Sequence, residues 1–321
     1  MSSDLQAFQN APGFTVFHTH KWIEMLLAAF PRWRDASRII DLADGRRVWL
    51  PMLQTDHVGL WRWLDALPFG FFGNPVVNTG SLSRSDVAQI LQTAQPGVGW
   101  LAINLDPYDP LAQPDLIPAG VVSLTTHLLD LSAGFEPLVQ GFSKMVLRHL
   151  RHAEREGVSA RRGQGSTDFL TYYRLTQRAI QRWQLTETPF PRALYEALAG
   201  LPPQWVSLWL AERDGQALGG LISLHYAPGR IMYWGSALDP EYAYLNPTKL
   251  LQREAIREAC QRGAQIYNMG PSVGFDGKPL EGVRQAKEAL GARPHDYAII
   301  ILMNAWAMRA RALRNRLLGR A

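Results

Sequence analysis

Cysteine is nearly missing from this chain: Cys260 is the single one in 321 residues. That excludes an internal disulfide framework and fits a reducing compartment, with Cys260 packed as a small apolar side chain on a helix. No stretch approaches the roughly 20 consecutive apolar residues of a membrane-spanning helix. The opening MSSDLQAFQNAPGF has neither the basic region nor the apolar core of a secretory signal. A soluble, cytoplasmic protein is expected. Familiar catalytic motifs are missing as well. No Cys/His set has zinc spacing, and His149 and His152, among arginines on one helix, read as surface. There is no Walker loop, no Gly-rich dinucleotide fingerprint and no GxSxG elbow. Cys260 sits mid-helix, a poor place for a nucleophile. Metal hydrolysis and covalent catalysis therefore give way to a site that positions two substrates and stabilises charge.

What is present describes a folded protein long enough for two ordinary domains, 47% hydrophobic and 19% charged. The net charge of +5 is unevenly spread. Arg309, Arg311, Arg314, Arg316 and Arg320 crowd the tail without an acidic neighbour, and a second basic run spans Lys144 to Arg162. Both suit the phosphates of a nucleotide, a tRNA or a lipid, and both also suit a solvated helix face.

The richest stretch is Ile231 to Pro294. IMYWGSALDP reads as a strand ending in a turn, and Asn246-Pro247 opens a helix that Gly263 closes. AQIYNMGPS is a short strand breaking into a loop, LEGVRQAKEALG a second helix, and HDYAIIILM a buried strand. Such an α/β unit sets a helix N-terminus beside strand ends, where carbonyls and phosphates are commonly held. Upstream, dipeptides at Asp44-Gly45 and Asp214-Gly215 each mark a hairpin. LWRWLDALPFGFFGNPVV reads as a loop heavy in exposed aromatics, and VVSLTTHLLDL as a long strand. In the tail, Trp306, Ala310, Leu313 and Leu317 form one stripe of an amphipathic helix. That helix is expected to fold back on a domain, with peripheral membrane contact as the alternative.

Four segments, in order, resemble the Fem family of aminoacyl transferases, a branch of the acetyltransferase (GNAT) superfamily. They are FHTHKW, PFGFFGNP, VLRHLRHAEREGV, and the run from YWGSAL through NPTKLLQREAIREACQRGAQIYNMGPS to AKEALGA. The resemblance covers nearly the whole chain. It implies an α/β fold of two tandem GNAT-like domains with mixed sheets. The boundaries are residues 1–134 on the acceptor side and 135–300 on the donor side, with a basic tail helix at 301–321 packed on the first domain.

The resemblance also implies transfer of an aminoacyl group from charged tRNA to an amine, such as that of a peptidoglycan precursor, by a monomer without metal or covalent intermediate. Lys287 matches the lysine of the family's Phe-Lys motif and would face the reacting ester; a solvated helix lysine is the other reading. Asp106 matches an acceptor-side Asp-Pro position, although on local sequence it reads as a turn aspartate. Trp22, Phe69, Arg148, Tyr233, Asn268 and Ser272 are weaker candidates for contacting substrate, core packing being favoured for Trp22 and Tyr233. Three departures stand out: Ala286 replaces the motif's Phe, Asn268 replaces an acidic residue, and the long coiled-coil arm of some members is absent, since Gln184 to Gln204 is only a short connection. No cofactor is expected beyond aminoacyl-tRNA as co-substrate. An acyl-CoA N-acyltransferase using acetyl-CoA is the alternative, although YLNPTKLL lacks the glycines of a CoA-binding loop and Pro247 removes a donor. A non-catalytic binding protein of envelope or exopolysaccharide assembly is the second alternative.

Overall fold

The computed structural model describes residues 3–180, 185–274 and 277–317. Contacts divide the chain into two compact units: Met1–Leu124 with Asp296–Ala321, and Thr125–His295. Both divisions fall inside strands, Val121–Asp130 and Arg293–Met303.

In the first unit, the Thr19 hydroxyl accepts the Trp22 N–H and starts helix His20–Ala29, whose buried face carries Trp22, Ile23, Met25, Leu26 and Ala29. The hairpin Arg38–Asp41/Arg47–Leu50 forms as expected, with Gly45 at φ 85° in its turn. Strands Trp61–Ala66 and Val98–Ile103 run parallel, joined through helix Arg84–Ala94, which Ser83 and Asp86 cap reciprocally. Leu64, Ile90, Leu91, Leu101 and Ile103 meet in the core of this unit.

Two local expectations fail here. The stretch read as an aromatic loop supplies strand Trp61–Ala66, paired with an unforeseen strand Leu53–Val58. Its Phe71 and Phe72 are buried against Phe17, because the chain turns them inward after a positive φ at Phe69. The tail helix Ala305–Leu317 does pack on this unit, against Val98–Ile103 and Leu53–Val58. The face it uses is not the apolar stripe: Trp306 and Leu313 are 69% and 60% exposed, and the side chain of Leu317 lies outside the described residues. Contact comes instead through Ala307, against Gly99, and through Arg314, whose guanidinium grips both Asp56 oxygens at 2.9 and 2.7 Å. A small residue and a two-pronged ion pair allow closer approach than bulky leucines would.

In the second unit the strand order is 125–130, Ile266–Pro271, Arg230–Leu238, Gln216–Ala227, Val206–Arg213, Ser159–Arg162. The hairpin between Val206–Arg213 and Gln216–Ala227 turns on Asp214 and Gly215, at φ 52° and 79°, the two positive values a tight primed turn requires. Consecutive glycines on the second of these strands show its two covered faces: Gly219 meets Leu251 of helix Pro247–Gln261, and Gly220 meets the Tyr172 ring of helix Gly165–Ala179. Helices therefore flank this sheet on both sides. Buried Glu258 fastens one helix down, accepting from Ser207, Trp209, Arg162 and Arg262 at 2.8 to 3.0 Å. Part of the basic run is thus neutralised within the fold, since Arg161 likewise pairs with Asp168 and Glu212. Among the described residues no helix is long and apolar enough to cross a membrane.

Candidate functional site

The second unit opens where two parallel strands part. Arg230–Leu238 and Ile266–Pro271 pair only at Arg230/Ile266, Ile231/Tyr267 and Met232/Asn268. Beyond that point the first strand stays with Gln216–Ala227 as far as Leu238, while the second turns to Thr126. The carboxyl ends of diverging parallel strands are a favoured place for ligands in α/β sheets.

Polar side chains collect on one side of this opening. Asn268 is buried, its Oδ1 accepting from the Thr126 hydroxyl at 2.6 Å and the Gly270 N–H at 2.9 Å. That pair shapes the strand end so that two consecutive carbonyls turn toward helix Glu281–Glu288. From that helix the Lys287 ammonium donates to the Gly270 carbonyl at 2.8 Å and the Pro271 carbonyl at 2.6 Å. Lys287 is only 5% exposed. Burial pushes its ammonium from 10.5 down to about 7, while the two carbonyl acceptors favour the charged form and work the other way. Two N–H bonds on the protein leave the third for a ligand.

Beside the lysine lies a residue the sequence reading passed over. His127, on strand Val121–Asp130, is 2% exposed, and its Nδ1 sits 3.4 Å from the Ser272 hydroxyl. Its Nε2 has no hydrogen-bond partner among the described groups, and the Glu288 carboxylate is 3.9 Å away. Burial, then the Lys287 charge, holds this imidazole below its usual range. It is therefore neutral at physiological pH, with a nitrogen able to take a proton. The only sequence signal was a lone histidine inside the strand VVSLTTHLLD.

Lys287, Asn268 and Ser272 thus come together, joined by His127 and Thr126. Tyr233 lies on the other parting strand, half-buried, its hydroxyl 2.7 Å from Ser236. Arg148 is exposed on helix Lys144–Arg155. Three candidates belong to the first unit. Trp22 is fully buried against Phe17 and Phe71. Phe69 stacks on Trp33 and packs at a tilt against Phe30. Asp106 is buried, and its carboxylate accepts the Tyr108 N–H at 3.1 Å in the turn geometry its sequence suggests.

At the start of helix Pro247–Gln261, Asn246 adopts φ 55° and makes no side-chain cap; its Nδ2 donates instead to the Tyr244 carbonyl at 2.9 Å. The expected Asn cap is therefore a left-handed corner, and Pro247 takes the first helical position. Among the described residues no group of His, Cys, Asp and Glu could hold a metal ion.

Residues 140–277 match the acetyltransferase (GNAT) domain family. That stretch lies within the second unit, Thr125–His295. Solved structures extend the likeness to the whole chain as fold. FemX superposes with a TM-score of 0.65 at 11% identity, covering 91% of this chain and 94% of its own. L-PGS from Bacillus licheniformis gives 0.58 at 14%, covering 100% and 97%. A tandem GNAT protein from the clavulanic acid biosynthesis pathway gives 0.53 at 15%, covering 88% and 86%. No curated protein matches the chain. The Fem resemblance read from the sequence agrees with these findings at the level of a GNAT domain match and of the fold.

Proposed function

We propose that the chain moves an aminoacyl group from aminoacyl-tRNA to an amine, in a peptide or cell-wall precursor. The observation that carries this reading is the buried Lys287 ammonium, anchored on two carbonyls beside a neutral histidine. In ester aminolysis the amine attacks the carbonyl carbon, a C–N bond forms, and the ribose C–O bond breaks. Negative charge appears first on the carbonyl oxygen and then on the departing ribose oxygen. A fixed cation in a dry site stabilises that charge more than it stabilises the ground state. The attacking amine must also lose a proton, which His127 can accept. By resemblance, Asp106 orients the acceptor amine.

Acetyl-CoA is the second reading, favoured by the family match itself. Against it stands the start of helix Pro247–Gln261, where a proline and a left-handed asparagine replace a glycine loop with free N–H donors. The test is release of labelled amino acid from charged tRNA into an amine acceptor, run beside thiol release from acetyl-CoA. Transfer from tRNA alone supports the first reading, and CoA turnover alone supports the second.

A further inference from the structure

The tail arginines left unused by the Lys287 site converge elsewhere, in the first unit. A cavity of about 540 Å³ is lined by Arg32, Arg34, Arg311 and Arg314, with Trp33 and Asp56 among its other walls. Its size is that of a small-molecule site. Four guanidinium groups stand against one carboxylate, an excess of three positive charges among the arginines and the aspartate of its lining. Asp56 is already committed: Arg314 occupies both its oxygens, and the Arg311 Nε lies 3.4 Å from one of them. Arg32 and Arg34 are exposed and have no carboxylate partner among the described residues. Trp33, between them in sequence, is fixed by stacking on Phe30 at 3.9 Å. The two free arginines are therefore held on either side of an immobile residue, facing a pocket whose only carboxylate is saturated.

We propose that this pocket binds a phosphate-bearing ligand, whose oxygens supply the acceptors that the free guanidinium groups lack. Planar guanidinium forks match phosphate oxygens in pairs, and a pocket wall screens them from salt better than open surface does. The phosphate has two sources. One is a soluble diphosphate. The other is a lipid headgroup, because the tail helix that supplies Arg311 and Arg314 also exposes Trp306 and Leu313, and Met303 just before it is 64% exposed. At about 100° per residue, that stripe lies roughly a quarter-turn from the packed face. The site is separate from Lys287, so it stands whether or not the acyl donor is tRNA.

The test measures inorganic pyrophosphate binding by calorimetry and sedimentation with phosphatidic acid or phosphatidylcholine vesicles. It compares wild type, Arg32→Gln/Arg34→Gln and Trp306→Ser/Leu313→Ser. Because neither Arg32 nor Arg34 anchors the fold, the arginine variant should melt like wild type. Pyrophosphate should bind wild type and weaken by roughly tenfold for each arginine removed. If the source is lipid, phosphatidic acid vesicles bind wild type and both variants lose them, while the stripe variant keeps pyrophosphate. If the source is soluble, no vesicle binds and only the arginine variant loses pyrophosphate. Absence of pyrophosphate binding, or equal binding by wild type and the arginine variant, overturns the proposal.

Discussion

The Lys287 ammonium donates to the carbonyl of Gly270 at 2.8 Å, tying helix Glu281–Glu288 to the end of strand Ile266–Pro271. One contact thus both builds the site and fixes its cation. Lys287→Met keeps the shape of the stem and removes the charge. Turnover should fall about a hundredfold to a thousandfold, the usual loss of one charge-stabilising group. Lys287→Arg should recover little, because a planar guanidinium cannot sit between carbonyls placed for a compact ammonium. Wild-type turnover in Lys287→Met would make the lysine a structural tie only.

Burial lowers the Lys287 ammonium to about 7 in the fold, against 10.5 when unfolded. Between those values the unfolded chain binds a proton that the folded chain does not, so this group adds stability as pH rises from about 7 toward 10.5. Below about 7 both states carry the charge, and the cost of burying it is felt in full. Denaturant melts of wild type and Lys287→Met across that window should converge at the alkaline end and diverge near neutrality, wild type having the steeper rise. Parallel curves would show a lysine that stays charged throughout.

His127 should set the acidic limb of the rate profile, below the ordinary imidazole range because burial and Lys287 depress it. His127→Asn should cost about a hundredfold or more and abolish that limb. A small loss with the limb intact would assign the proton to another acceptor.

Gly220 tests the packing. A Cβ there would lie 2.6 Å from the Tyr172 ring. Gly220→Ala should destabilise by about 1–3 kcal/mol through overpacking, read as a lower denaturant midpoint. Gly219→Ala, whose nearest contact is the Ala237 carbonyl at 3.2 Å, should cost less.

Legibility in the sequence followed the range of the forces involved. The turn at Asp214-Gly215 was readable because two positive φ values demand those residue types locally. Lys287 stood out through motif order, and Asn268 and Ser272 came with it. Strand Ser159–Arg162 was not readable: its arginines are paired by Asp168, Glu212 and Glu258, which are distant or follow later in the chain. The hairpin Leu53–Val58/Trp61–Ala66 was hidden because its second strand, WRWLDA, breaks the alternation of apolar and polar residues at Trp63-Leu64. The tail stripe misled because periodicity reports which face is apolar, whereas Asp56, more than 250 residues upstream, decides which face docks. His127 was missed because its neighbours, Ser272 and Glu288, reach it only in the folded unit.

The measurement closest to the central claim is side-by-side titration of the protein with charged tRNA and with acetyl-CoA at two salt concentrations. Charged tRNA should bind more tightly, weakening steeply as salt rises because phosphate contacts release counterions, and Lys287→Met should lose most amino-acid transfer. Tight acetyl-CoA binding, with no salt-sensitive binding of charged tRNA, would contradict the claim.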